Sequence, residues 1–154
     1  MMSLLTALLV FAAVSGLTVL WIFWRRRQTS REFMLAVEDF SRYSELGELF
    51  LTAANATGKP RGLRWKSCDL EGAPIFARDP TSDEIFALIG ATIGFEAIAG
   101  GDMEDVEAVD DIRYVSVVFA YRDGHWQSDG RAIFNLEPLQ AMERLGATAA
   151  GLKR

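Results

Sequence analysis

The sequence predicts an α+β protein: one N-terminal transmembrane helix, a long helix packed on a meandering antiparallel sheet of about five strands, and a short C-terminal helix. Three patterns support this class. An uncharged run extends from Leu4 to Trp24, apolar residues then recur at helical spacing, and apolar and polar residues alternate further on. The chain of 154 residues has room for one small domain after the uncharged run.

The uncharged run is long enough to cross a bilayer as a helix. Its 21 residues correspond to about 31 Å at ~1.5 Å per residue, which matches a hydrocarbon core of ~30 Å. Trp21 and Trp24 lie at its end, where indole rings suit the membrane interface, and Arg25, Arg26 and Arg27 follow at once. These five residues are the predicted membrane-interface set.

The flanking charges predict how this segment is oriented. A cleaved signal peptide would carry basic residues before its apolar run and small residues at its cleavage site. Here no charge precedes Leu4, and aromatic residues and arginines occupy the cleavage position. We therefore expect an uncleaved, single-pass signal anchor in the cell membrane, with Met1 outside and the C-terminal domain in the cytoplasm.

Small residues in the same segment indicate a contact between helices. Ala12, Ser15 and Gly16 occupy adjoining positions, and such residues allow two helix backbones to pack closely in lipid. The segment could therefore form a homo-oligomer or dock onto another membrane helix. Small residues are also common in any membrane-spanning helix, so both interpretations stay open.

The following segment predicts a long amphipathic helix. Thr29 and Glu32 have the spacing of a capping box, which predicts a helix from about Ser30 to Asn55, although the helix could also continue from the anchor without a break. Gly58 and Pro60 are expected to end it. One stripe of this helix comprises Phe33, Val37, Phe40, Tyr43, Gly47, Phe50, Leu51 and Ala54.

Strand patterns dominate the rest of the chain. Segments 63–70 and 73–78 flank a predicted turn at Glu71-Gly72, and a second turn covers 80–83. Gly90 and Gly94 interrupt the next strand, 84–98, and predict a bend or a close approach of the helix. The apolar face of that strand contains Ile85, Ala87, Ile89, Ala91, Ile93, Phe95 and Ala97.

The segment from residue 113 onward predicts a β-hairpin, one further strand and a C-terminal helix. A strand over 113–122 places Val115, Val117, Phe119 and Tyr121 on one side. Asp123-Gly124 predicts a two-residue hairpin turn, because both positions accept a positive φ. After strand residues 125–126 and 131–136, Pro138 is expected to begin a helix to about residue 145, and the tail from 146 is expected to fray.

This order of elements predicts three regions: an anchor with its basic flank (1–28), a cytoplasmic α+β domain (29–146) and a flexible tail (147–154). A long helix held against a curved sheet is similar to cystatin-like and NTF2-like architecture. That similarity concerns the fold and implies no function.

Charge and cysteine content narrow the classes of partner. The net charge is −5; Arg25, Arg26, Arg27 and Arg31 contribute +4, which leaves 12 basic against 21 acidic residues, or −9, elsewhere. Such an acidic domain repels nucleic acid, so no nucleic-acid partner is expected. Cys68, the one cysteine, cannot form an intramolecular disulfide, which agrees with a reducing compartment.

Six carboxylates within ten residues form the first candidate surface. They could bind a divalent cation, dock a protein partner or form a solvated loop, but their spacing does not match an EF-hand, and no metal site is assigned. This acidic segment contains Asp102, Glu104, Asp105, Glu107, Asp110 and Asp111.

Four basic residues form the second candidate surface: Lys59, Arg61, Arg64 and Lys66. Without a helix N-terminus or glycine-rich nest nearby, phosphate binding is not predicted. The patch is expected to contact anionic headgroups or to pair internally with the acidic segment.

No residue pattern predicts an enzyme. His125 is the only histidine and has no evident nucleophile or fixed carboxylate beside it. We therefore expect no catalytic residues and no cofactor. The leading hypothesis is a membrane-anchored protein whose domain is an interaction module or an accessory subunit of a membrane assembly. The alternative is a module that binds a small ligand at the helix–sheet cleft or a divalent cation at the acidic segment.

Overall fold

The computed structural model describes residues 4–57, 62–100, 112–146 and 148–149. Two units divide the chain, 1–35 and 36–154, and all strands belong to the second unit. The described helices are α1 (Leu4–Arg42), α2 (Leu46–Thr57) and α3 (Pro138–Arg144). The described strands are β1 (Leu63–Arg78), β2 (Ile85–Ala97), β3 (Arg113–Arg122), β4 (His125–Gln127), β5 (Ala132–Phe134) and β6 (Thr148–Ala149).

The strands form one antiparallel sheet in the order β4-β3-β2-β1-β6, and β5 pairs with the same edge of β3 as β4. The predicted α+β class with an antiparallel sheet is therefore confirmed. The number of described strands agrees with the prediction of about five. Thr148 and Ala149, in the segment that was expected to fray, form an edge strand by pairing with Arg78 and Ala77.

Helix α1 continues without a break through the arginines to Arg42. The capping box at Thr29 therefore does not begin a helix, and the alternative expectation of a continuous helix is confirmed. In the part of the chain that the structure describes, no helix offers a stretch that is both long and apolar enough to cross a membrane. The predicted transmembrane helix therefore has no support from the structure.

The long amphipathic helix is divided between the end of α1 and α2, which is a correction to the predicted single helix. The Ser41 hydroxyl donates a hydrogen bond to the Glu38 carbonyl oxygen at 2.7 Å, and Ser44 lies in the break between the two helices. Serine hydroxyls compete with backbone N–H groups for such carbonyl oxygens and so disfavour the helix interior. Both helices still bury apolar residues, namely Ala36 and Phe40 of α1 and Leu46, Phe50 and Ala54 of α2.

Strand β1 is continuous, so the predicted turn at Glu71-Gly72 is wrong. Both halves of β1 pair with β2 instead of with each other, and the register shifts between Glu71 and Ile75. Gly72 has a φ of 78° at this irregularity. The glycine therefore bends one long strand, and the turn that reverses the chain lies at residues 79–83, as predicted for the second turn.

The alternating patterns of β2 and β3 are confirmed. Ala87 pairs with Phe119 and Ile89 with Val117, so the predicted apolar faces lie side by side. The hairpin turn is confirmed as well: Asp123 and Gly124 have φ values of 54° and 82°, and Arg122 pairs with His125.

Each face of the sheet has its own core. Phe40 of α1 contacts Phe119 and Trp126 edge-on, at centroid distances of 5.9 and 5.0 Å, and the Trp126 indole donates to the Ala36 carbonyl at 3.0 Å. On the other face α3 covers a smaller cluster made of Ala77, Leu88, Val118, Ala141 and Met142.

The glycines of β2 are approached by side chains and not by a helix. A Cβ at Gly90 would collide with the Tyr114 hydroxyl, and one at Gly94 would lie 2.7 Å from the Ser67 hydroxyl oxygen. Helix and sheet meet closely at Gly47 instead, where a Cβ would lie 2.6 Å from the Cys68 carbonyl oxygen.

Candidate functional site

The acidic segment, with its six carboxylates between Asp102 and Asp111, lies outside the described residues. Its predicted role as a cation or partner surface stays a prediction. Within the described ranges there is no group of three or more histidine, cysteine, aspartate or glutamate residues that could hold a metal ion.

Half of the basic patch is described. Lys59 and Arg61 lie outside the described residues, whereas Arg64 and Lys66 are exposed on β1. The Arg64 guanidinium pairs with Glu96, its neighbour across the β1–β2 ladder, at 2.6 Å. The internal pairing predicted for this patch was with the acidic segment, and its test lies outside the described residues. Glu96 is a different partner, and the sequence did not indicate it because the pairing depends on the strand register.

The predicted membrane-interface residues lie on α1. Trp21 and Trp24 are 57% and 65% exposed, and the Arg27 guanidinium lies 5.7 Å from the centre of the Phe23 ring. The side chains of Arg25 and Arg26 are outside what the structure describes. Exposed tryptophan side chains and an arginine that lies over an aromatic ring are therefore present at the end of the uncharged run.

The space between the helices and the sheet was a candidate ligand cleft, and aromatic side chains occupy it. Phe50 and Trp65 meet edge-on at 5.5 Å, and Phe40 and Phe76 do so at 5.4 Å. Phe50, Phe119 and Trp126 are at most 1% exposed. This part of the domain is packed as a core.

Neither His125 nor Cys68 has, among the described residues, the partners that a general base or a nucleophile would need. The exposed His125 ring has Nδ1 3.2 Å from the Asp123 carbonyl oxygen and Nε2 2.9 Å from the Gln127 amide nitrogen. Burial, together with Asp69 and Glu48, raises the pKa of the Cys68 thiol to about 12. A thiol with that pKa stays protonated at neutral pH and is a poor nucleophile.

A cavity that the sequence did not indicate lies between β5 and the end of α3. Its volume is about 420 Å³, within the range typical of small-molecule sites. Arg131 precedes β5 and Arg144 occupies the last turn of α3, 13 positions apart, so only the tertiary structure brings them together. The lining residues are Arg131, Ala132, Ile133, Phe134, Arg144 and Leu145.

No protein-family model, curated protein or solved structure matches the chain. The similarity to cystatin-like and NTF2-like architecture therefore stays an analogy of fold.

Proposed function

We propose that the chain is a single-pass, membrane-anchored interaction protein. The first part of α1 holds it in the bilayer, and the α+β domain binds a protein partner as an adaptor or accessory subunit of a membrane assembly. The observation that carries this proposal is the uncharged run from Leu4 to Trp24 with the arginines that follow it.

The described part of this run supports the proposal through its exposed apolar side chains. Exposed apolar surface costs about 25 cal/mol per Å² relative to burial, so an apolar surrounding would stabilise it. The large exposed side chains of the run include Phe11, Leu17, Leu20, Trp21, Phe23 and Trp24. No helix among the described residues is long and apolar enough to count as a membrane span, so the proposal rests on the sequence pattern and on these exposed side chains.

Thr18 gives a second, independent argument. Its hydroxyl lies 3.0 Å from the Val14 carbonyl oxygen and 2.8 Å from the Ser15 carbonyl oxygen, within the same helix. A hydroxyl in hydrocarbon needs an internal acceptor, because no water is available there. This polar residue is therefore compatible with a membrane environment.

Alkaline carbonate extraction of membranes tests the anchor. We expect the full chain to stay in the membrane pellet, and Leu17→Lys to release it, because a lysine near the centre of a spanning helix costs about 2.5–3.5 kcal/mol. Leu35→Lys is the matched control, since Leu35 is also exposed on α1 but lies beyond the arginines. Release of the unmodified chain by carbonate would refute the anchor.

The proposed orientation, with the domain in the cytoplasm, needs a reporter other than Cys68. A half-buried thiol with a raised pKa would label slowly on either side of the membrane. Ser82 is exposed in the turn between β1 and β2, so Ser82→Cys in a Cys68→Ser chain supplies an accessible thiol. We expect an impermeant maleimide to label it only after the cells are opened, and labelling of intact cells would reverse the orientation.

The interaction role is tested by the size of the extracted particle. We expect the full chain in mild detergent to run as a complex larger than a monomer. A Cβ at Gly16 would meet nothing within 4 Å, so this position is open to a neighbouring helix. If contacts run through the small residues, Gly16→Leu should reduce the particle size, whereas Leu35→Lys should not. A monomer without any associated protein would contradict the proposal.

A further inference from the structure

We propose that the cavity between β5 and α3 is a binding site for a small organic anion that carries a carboxylate or phosphate beside an apolar group. The site is independent of the membrane anchor, because all its lining residues belong to the second unit. Two arginines in its lining, together with the apolar side chains of Ile133 and Leu145, define the chemistry.

The charged residues are two arginines that the rest of the described domain does not neutralise. Arg64, Arg78 and Arg122 each contact a carboxylate, of Glu96, Asp83 and Glu84 respectively. Arg131 and Arg144, by contrast, have no carboxylate within 4.0 Å among the described residues, although both line the cavity. In a domain with a negative net charge, such a pair creates a local positive potential that favours an anion.

Arginine also supplies the geometry for this recognition. A guanidinium presents several N–H donors in one plane, which matches the paired oxygens of a carboxylate or phosphate. Arg131 immediately precedes β5, where its carbonyl oxygen accepts a hydrogen bond from the Val118 N–H at 3.1 Å, and Arg144 lies on α3, which packs on the sheet. Both backbones are therefore held in place by the fold before a ligand binds.

Part of the cavity lining is apolar and continuous with the core. Ile133 and Leu145 pack against the cluster that contains Leu88, Val118 and Met142, and both line the cavity. Phe134 also borders the cavity, but its ring points to the other side of β5 from Ile133 and lies 6.4 Å from that of Trp65. An apolar group attached to the anion would cover this surface, and a bare inorganic ion would not.

A titration with matched probes tests the site in the isotopically labelled full chain in detergent. The probes are benzoate, phenyl phosphate and neutral benzamide, and the measured signals are the backbone amide resonances of Ile133 and Leu145. We expect benzoate or phenyl phosphate, or both, to shift these resonances in a saturable manner, and benzamide to bind at least about tenfold more weakly because it lacks the charge. The tighter of the two anions then identifies the carboxylate or the phosphate as the natural group.

Arg131→Gln and Arg144→Gln should each weaken binding of the better anion by about tenfold, because each removes charge-assisted hydrogen bonds. Arg64→Gln, a change of the same kind on an exposed arginine outside the cavity, should leave the affinity unchanged. Added NaCl should also weaken anion binding to the unmodified chain, which provides a test that does not depend on the folding of a variant. No shift with either anion, equal binding of benzamide, or equal affinity in all three variants would overturn the proposal.

Discussion

Gly47 shows how a single residue sets the distance between helix α2 and strand β1. It lies in the first turn of α2, and a Cβ there would lie 2.6 Å from the Cys68 carbonyl oxygen. Such a contact is shorter than the atoms tolerate, and a backbone carbonyl cannot rotate away as a flexible side chain could. The sequence placed Gly47 on the apolar stripe but did not reveal this contact.

We expect Gly47→Ala to lower the free energy of unfolding by about 1–3 kcal/mol, because helix and strand must separate to admit the methyl group. In an open helical position the same change stabilises by about 0.5–1 kcal/mol. Thr52→Ala, at an exposed position of the same helix, is the control. Chemical denaturation of both variants measures the difference, and a Gly47→Ala protein as stable as the original would contradict the close approach.

Cys68 is predicted to be unreactive while the protein is folded. Its thiol pKa is raised from 9.0 to about 12, so at pH 8 iodoacetamide should react much more slowly with the folded chain than with the chain in denaturant. An exposed thiol from Ser82→Cys, in a Cys68→Ser chain, should react at similar rates in both states. Equal rates for folded and unfolded Cys68 would show that the thiol is accessible and ionises normally.

The same shift has a consequence for stability. The folded state holds the Cys68 thiol proton more tightly than the unfolded state does. The stability that this tighter proton binding contributes is therefore fully present below pH 9 and is lost as the pH rises toward 12. Cys68→Ala should therefore lose less stability than the unmodified chain between pH 9 and the limit of measurement. Parallel slopes of the free energy of unfolding against pH would contradict this.

At the scale of elements, α3 is specified locally and stabilised by the sheet. Pro138 occupies its first turn, and Glu137 and Gln140 form a capping box. Tyr114 of β3 donates its hydroxyl to the Glu137 carboxylate at 3.0 Å, and this bond, after the larger effect of desolvation, contributes to a raised Tyr114 pKa. The helix is thus joined to the sheet at its N-terminus.

Two residues on α3 test what its packing contributes. Met142 is 5% exposed and belongs to the second core, whereas Leu139 on the same helix is 43% exposed. We expect Met142→Ala to cost about 2–4 kcal/mol of unfolding free energy and Leu139→Ala less than about 1 kcal/mol. Thermal and chemical denaturation compare the two variants, and similar losses would mean that α3 is held by something other than its buried face.

Two elements differ from the boundaries that the sequence patterns predicted. The turn residues Glu71-Gly72 resemble a hairpin, yet β1 continues past them because β2 pairs with both of its halves. Likewise, the stripe from Phe33 to Ala54 predicted one helix, yet α1 ends at Arg42. At Glu71-Gly72 the pairing with β2, a long-range partner, overrides the local turn preference, whereas the end of α1 coincides with the local serines Ser41 and Ser44.

At the scale of the whole molecule, we expect that the α+β domain cannot fold cooperatively without the last residues of α1. Ala36 accepts the Trp126 indole hydrogen bond, and Phe40 covers Phe76, Phe119 and Trp126. A fragment of residues 29–154 should therefore show near-UV circular dichroism and one cooperative thermal transition. A fragment of residues 46–154 should lose both, because it exposes those rings and leaves the indole without its acceptor. Cooperative unfolding of the shorter fragment would contradict this.

The sequence by itself determined the α+β class, the faces of β2 and β3, the Asp123-Gly124 turn and the start of α3 at Pro138. These depend on local periodicity and on φ preferences of neighbouring residues, which act over a few positions. Only the tertiary structure decided that Arg64 pairs with Glu96, that Gly47 lies against Cys68, and that Arg131 and Arg144 border one cavity. Those contacts join distant positions through strand register and helix packing, and no pattern within a short segment encodes them.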